Sequence, residues 1–293
     1  MYMFNKPPPL GSPPLSRGSE SSDFDQFRLF LEDACGISLG DNKQYLVTNR
    51  IRRILDDYQF KNLGELVVAV RQGSNRKLKE QVVDAMTTNE TFWFRDVYPF
   101  EHLRNKILPE LMSPALRMQG PIRIWSAACS YGQEPYSISM MVEEYKRASM
   151  GTLNRPVQIV ATDLSSIVLD QARSGEYDKM SIIRGLSTEK LERYFDKQSD
   201  NLWRIKPPVK ERIDFKSLNL LDSYASLGRF DIVFCRNVLI YFNADLKREV
   251  MKKIHSTLKP GGILYLGSSE GLAGSSDLFE MVRSDPGILY RAI

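Results

Sequence analysis

Apolar positions along the chain change period at about residue 120, and that change separates two kinds of structure. From Asp23 onward, Phe24, Phe27, Leu31 and Ala34 follow a 3.6-residue rhythm that Gly36 and Gly40 stop, which predicts an amphipathic helix. A second helix is predicted where Val47, Ile51, Ile54, Leu55 and Tyr58 share a face, turning Arg50 and Arg53 to solvent with Arg52 nearby. Shorter helical stretches at 63–70 and 76–86 complete an all-helical N-terminal domain over residues 23–90. Upstream, Pro7-Pro8-Pro9 and Pro13-Pro14 stand among Gly and Ser, so residues 1–22 are expected to be a disordered tail. Residues 91–119 form a linker with a helix.

Beyond residue 120 the pattern becomes α/β. The runs 122–125, 157–160, 230–234 and 262–266 are short, β-rich and mostly apolar, as buried strands of a parallel sheet are. Helical segments at 134–147, 165–173 and 244–258 alternate with them. Residues 279–283 and 288–291, joined through Ser284-Asp285-Pro286-Gly287, read as a closing antiparallel hairpin. Only residues 186–216 break the alternation. With 202–205 and 212–215 as short strands, they are expected to form an antiparallel β subdomain inserted in a domain spanning 120–293.

Composition narrows the function classes. At 42% hydrophobic and 26% charged residues the chain has material for a core. No uncharged apolar run is long enough to span a bilayer and no signal-peptide pattern opens the chain, so a cytoplasmic protein without membrane insertion is expected. Cys35, Cys129 and Cys235 are widely separated and odd in number, which suits reduced thiols rather than disulfides. His102 and His255 are the only histidines, too few for zinc or for imidazole acid-base chemistry, and no metal is expected. A net charge of +4 does not point to nucleic acid. Local clustering is more telling: between Asn42 and Leu55 stand Lys43, Arg50, Arg52 and Arg53 with no acid, and a second acid-free stretch holds Arg71, Arg76, Lys77 and Lys79. Either patch could receive an acidic helix.

The first strand runs into Ser126-Ala127-Ala128-Cys129-Ser130-Tyr131-Gly132, a loop of small residues opening a helix at Gln133-Glu134. It is either a plain turn or a place where a ligand meets backbone and a helix N-terminus. Asp163 ends the second strand, as a ribose acceptor or as the N-cap of the next helix. NAD and S-adenosylmethionine both present an adenosine. The loop lacks the G-x-G-x-x-G spacing that approaches a pyrophosphate, and the closing hairpin favours the methyltransferase variant of the fold.

Four segments carry a family resemblance: residues 87–96 (TTNETFWFRD), 125–137 (WSAACSYGQEPYS), 161–165 (ATDLS) and 235–242 (CRNVLIYF), with a late LGSSE at 266–270. In them the chain resembles chemotaxis receptor glutamate methyltransferases of the CheR type. The resemblance implies a class I, Rossmann-like, mostly parallel sheet binding S-adenosylmethionine and releasing S-adenosylhomocysteine. Asn89, Thr91 and Arg95 would lie at the domain junction, with Arg95 near the amino-acid end of the cofactor or the reacting carboxylate. Glu134 would meet the amino-acid part, Asp163 the ribose, and Asn219 and Leu220 the adenine. Arg236 and Asn237 would line the cofactor side and Tyr241 the substrate side, Arg95 and Tyr241 orienting groups rather than moving protons. The implied substrate is a glutamate on the cytoplasmic helical bundle of methyl-accepting chemoreceptors; the acid-free basic patch offers Arg50, Arg52 and Arg53 as docking residues for it, and a monomer is expected.

Departures are small: Trp93 stands where the family has another aromatic, and Cys129 takes a small-residue position. Relatives that dock on a receptor's C-terminal pentapeptide carry a longer, glycine-containing loop than Lys197-Gln198-Ser199-Asp200-Asn201, so no such tether is expected. The alternatives are methylation of another protein or of RNA, which would want broader basic and aromatic surfaces, and a non-catalytic cofactor-sensing adaptor.

Overall fold

The computed structural model describes residues 17–73, 75–151, 153–284 and 287–293. The N-terminal helices are α1 (Arg17–Cys35), α2 (Gln44–Asp57), α3 (Leu63–Arg71) and α4 (Arg76–Met86). Phe27, Leu31, Val47, Ile51, Leu66 and Val82 pack together in their core. Asn62 and Asn75 cap α3 and α4 by accepting the N–H groups of Glu65 and Leu78. Helix α1 begins at Arg17, so residues 17–22 are helical; the rest of the expected tail lies outside the described residues.

Arg50 departs from expectation. Its guanidinium turns inward and donates to the Met86 and Thr87 carbonyls, at 2.7 and 3.0 Å, and to the Thr88 hydroxyl. Helix α4 leaves those C-terminal carbonyls without intrahelical donors, and an adjacent cation satisfies them.

The chain continues through α5 (Tyr98–His102), a π-turn at Leu103–Ile107 and α6 (Leu108–Leu111). Its strands are β1 (Ile122–Ala127), β2 (Val157–Asp163), β3 (Glu176–Asp178), β4 (Phe195–Ser199), β5 (Leu202–Ile205), β6 (Ile213–Ser217), β7 (Phe230–Cys235), β8 (Leu258–Leu266), β9 (Phe279–Arg283) and β10 (Ile288–Ala292). Between them run α7 (Gln133–Ala148), α8 (Ser166–Ser174), α9 (Lys179–Ile182), α10 (Thr188–Tyr194), α11 (Pro207–Lys210) and α12 (Ala244–Thr257). Among the described residues the main sheet runs β6-β2-β1-β7-β8-β10-β9, with β10 alone running antiparallel to its neighbours β8 and β9.

Successive residues of the central strands feed opposite faces. Ile124, Ile232, Phe234 and Tyr265 join the core beneath α5, α6 and α7, while Trp125, Val233 and Leu264 join Val250, Met251 and Ile254 of α12. Burial on both faces is why these strands are mostly apolar, with polar Arg123 and Gln158 confined to the less buried starts of β1 and β2.

The inserted subdomain is drawn differently from the sequence expectation. Residues 213–217 are not part of it: β6 pairs in parallel with β2, Ile159 opposite Ile213, and Ile213 and Phe215 pack on the main core. The small sheet is β3-β5-β4, so it gains residues 176–178 and loses the later strand. A run such as Ile213–Ser217 carries no mark of its partner, because pairing depends on where the chain is delivered.

Candidate active site

The carboxyl ends of β1, β2 and β7 open into one cleft of about 1000 Å³, its mouth included. Strand order reverses about β1, between β2 and β7, and the end of the sheet at such a reversal is where open α/β sheets bind ligands. Asn89, Thr91, Arg95, Glu134, Asp163, Asn219, Leu220, Arg236, Asn237 and Tyr241 all line this cleft. Arg50, Arg52 and Arg53 do not; Arg52 and Arg53 are exposed, Arg53 beside Asp57 at 3.6 Å.

Unusual backbone conformations concentrate around the cleft. Phe94, Asp96, Ala128, Ser130 and Asn237 have φ of 52°, 66°, 56°, 51° and 60°, a region that costs non-glycine residues on the order of 1–3 kcal/mol each. Four of the five are held by side chains. Ser130 N–H donates to Asp163 Oδ2 at 2.8 Å and Phe94 N–H to the Ser137 hydroxyl at 3.1 Å. Asn237 N–H donates to Glu270 Oε2 at 2.7 Å, an oxygen that also accepts from Gly267 N–H. Asp96 is held through its carboxylate by Arg236, at 2.8 Å.

Arg236 is therefore a strut. Its side chain is 1% exposed, and it donates to Glu134 at 2.8 Å and to the Arg95 carbonyl at 2.6 Å as well as to Asp96, fastening the linker to the sheet. Glu134 also accepts from the Ser126 hydroxyl at 2.8 Å, so its carboxylate is fixed in direction. Asp163 is buried, with Oδ1 accepting from Ser165 N–H at 3.0 Å. The cap of α8 is Ser165, which leaves Asp163 as part of the cleft floor rather than an N-cap. Asn219 reaches across to α1, donating to the Ala34 carbonyl at 2.8 Å. Cys35 and Ile37 from the helical domain close the same side.

Two polar groups differ from these. Arg95 donates to the Glu90 carbonyl at 3.3 Å and lies over Phe92, but no carboxylate among the described residues pairs with it. Among the described residues the Tyr241 hydroxyl has no hydrogen-bond partner, while its carbonyl accepts from Ser38 N–H and its ring packs against both domains. Burial pushes Cys35 up to about 11 and Cys129 well above the usual thiol range, so neither is a ready nucleophile at neutral pH.

The acidic lining groups, Glu90, Glu134 and Asp163, outnumber the basic Arg95 and Arg236 by one. S-adenosylmethionine carries a sulfonium, an ammonium and a carboxylate, so the balance of the cleft opposes the balance of the cofactor. Leu164, Leu218 and Leu220 give one part of the cleft an apolar wall.

Comparison with known proteins decides the family. The family described as "CheR methyltransferase, SAM binding domain" matches residues 89–288, and "CheR methyltransferase, all-alpha domain" matches residues 22–87. The chain belongs to the CheR methyltransferase family. Similar relatives include the Pseudomonas putida chemotaxis protein methyltransferase Cher2, 57% identical over 92% of this chain and 98% of that protein. Chemotaxis protein methyltransferase 1 of Pseudomonas aeruginosa is 55% identical over 93% and 98%, and the Vibrio parahaemolyticus enzyme is 48% identical over 92% and 96%. This CheR-family chain is an S-adenosylmethionine-dependent methyltransferase of chemotaxis. No helix of its described residues is long and apolar enough to cross a membrane.

Residue reasoning from sequence missed Ser130, Glu270 and Asp96 as holders of the site. All three stand inside the segments that carry the family resemblance, but nothing in their spacing names their partners, Asn89, Asn237 and Arg236.

Proposed function

We propose that this protein methylates glutamate side chains on the cytoplasmic helical bundle of chemoreceptors, giving glutamyl methyl esters and S-adenosylhomocysteine. The observation that carries the reading is the pair of uncommitted groups at the cleft, Arg95 without a carboxylate partner and the Tyr241 hydroxyl without an acceptor. Both are suited to orienting an incoming carboxylate.

When bound, S-adenosylmethionine supplies an electrophilic methyl group on a sulfonium. Asp163 would accept the ribose hydroxyls on its remaining lone pairs. Glu134, aimed by Ser126 and Arg236, would receive the ammonium, Asn89 and Thr91 would border the amino-acid end, and Asn219 and Leu220 would flank the base. Asn237, set by Glu270, would line the transfer pocket between them. A glutamate with a pKa near ~4.3 arrives ionised, so the residues have to align and desolvate it rather than deprotonate it. The lining fits that task, since among the described residues it contains no imidazole and no lysine.

The receptor would dock through Arg52 and Arg53 on α2, in the cytoplasm and with the enzyme as a monomer. The β4–β5 hairpin supports action without a pentapeptide tether. Ser199 pairs with Leu202 across a turn of only Asp200 and Asn201, which Lys197 closes by pairing with Asp200 at 2.9 Å.

The test is incubation with methyl-labelled cofactor and receptor cytoplasmic fragments. Base-labile label released as methanol is expected; label that resists base, or none on any receptor, refutes the reading. Arg95→Ala and Tyr241→Phe should each lower kcat about tenfold or more while calorimetry finds S-adenosylhomocysteine bound nearly as before.

A further inference from the structure

Arg184 does not line the cleft, but its guanidinium contacts two residues that do, Glu90 and Phe92, and it comes from a different part of the fold. Arg184 lies between α9 and α10, in the segment that carries the small sheet. Its backbone carbonyl accepts from Trp93 N–H at 3.0 Å, so the segment is sewn to the linker beside Phe94 and Arg95. Its side chain stands 5.7 Å from the centre of the Phe92 ring, and Arg95 stands 5.4 Å from the same ring. Glu90 is gripped by both arginines: Arg95 takes its backbone carbonyl, and Arg184 its carboxylate at 2.8 Å.

The two grips differ in kind. The side chains of Arg184 and Glu90 are 48% and 65% exposed, and an ion pair so exposed to water and salt contributes little to stability. It is also redundant for holding the linker, which Trp93 already fixes by its N–H, by its indole Nε1 on the Ser181 carbonyl at 3.0 Å, and by edge contacts with Tyr177 and Phe195. What remains is a guanidinium beside two residues of the cleft lining, covered by a weakly held carboxylate of the protein's own.

We propose that Arg184 is a specificity-determining residue that receives a second acidic side chain of the substrate helix, one flanking the methylated glutamate, and that Glu90 occupies this position until the substrate displaces it. The proposal rests on the receptor-glutamate reading above. It gives Arg95 and Arg184 one carboxylate each, spaced by the Phe92 ring, and makes a lone glutamate in a neutral or basic stretch a poor substrate.

The sign of one substitution separates this from a merely structural pair. With a receptor cytoplasmic fragment that the unaltered enzyme methylates, Arg184→Ala should raise KM for the fragment about fivefold, with kcat little changed. Glu90→Gln should lower KM about threefold, because it removes the competitor. In the double variant the Glu90→Gln gain should vanish, and in the single variant it should fade near ~0.5 M salt. Calorimetric affinity for S-adenosylhomocysteine should stay the same in Arg184→Ala, which removes no group from the cleft lining. If Glu90→Gln raises KM or leaves it unchanged while the fragment is still methylated, Arg184 and Glu90 form only a clamp and the proposal fails alone. If no receptor fragment is methylated even by the unaltered enzyme, the receptor reading itself fails.

Discussion

At the scale of single residues, the site works by fixing charges whose solvation has been removed. Burial raises the Asp163 carboxyl above its ordinary range, against backbone hydrogen bonds from Ser165, Ser130 and Leu164 that lower it, and Asp84 adds repulsion. A carboxyl raised on folding favours the protonated folded state, so its contribution to stability is full at acid pH and lost as pH rises through the raised value. The ribose binding proposed for Asp163 has the opposite sign, since only the ionised carboxylate accepts from both hydroxyls. Affinity for S-adenosylhomocysteine should therefore fall on acidification from a pH above the ordinary carboxylate range. Asp163→Asn should bind about 10- to 100-fold more weakly and lose that pH dependence, both measurable by calorimetry. The acid at this position was visible in the sequence, because a strand end followed by a helix is a local pattern. Its bond to Ser130 was not, since that bond joins two loops delivered by different strands.

At the scale of elements, basic residues of α2 that look equivalent along the chain divide into two roles. Arg50 holds the end of α4 and so the wall of the cleft at Thr87 and Thr88, whereas Arg52 and Arg53 face solvent. Arg50→Ala should weaken cofactor binding and lower Tm; Arg52→Glu with Arg53→Glu should leave cofactor affinity alone and raise KM for a receptor fragment, an effect that shrinks with salt. Kinetics beside calorimetry separates the two. Glu270 has a comparable hold on the segment after β7, accepting from the N–H groups of Asn237, Gly267 and Ile240. Glu270→Ala should cost about 1.5–3 kcal/mol in denaturant unfolding and depress kcat, because charge-assisted bonds to a strained backbone are lost together. The helical period and the parallel strands were legible from side-chain pattern; Arg50's inward turn and β6's place in the main sheet were not, because each depends on a neighbour distant in sequence.

At the scale of the whole molecule, the cleft belongs to both domains, with the end of α1 forming part of its wall. Gly36 ends α1 with φ 78°, and a β-carbon there would come within 2.5 Å of Leu246 and 3.1 Å of Phe242. Gly36→Ala should displace Cys35 and Ile37 from the cleft, lowering Tm and weakening S-adenosylhomocysteine together, as thermal shift with and without ligand would report. By itself the sequence determined the N-terminal helices, the central strands and closing hairpin with the helices between them, and the small-residue loop after the first strand, because each is written in neighbouring residues. Only the tertiary structure decided that Arg236 is a buried strut while Arg95 stays uncommitted, that 213–217 joins the main sheet, and that Arg184 arrives beside Phe92. Those outcomes depend on which partner satisfies a buried charge or a strand edge, and folding brings that partner from dozens of residues away.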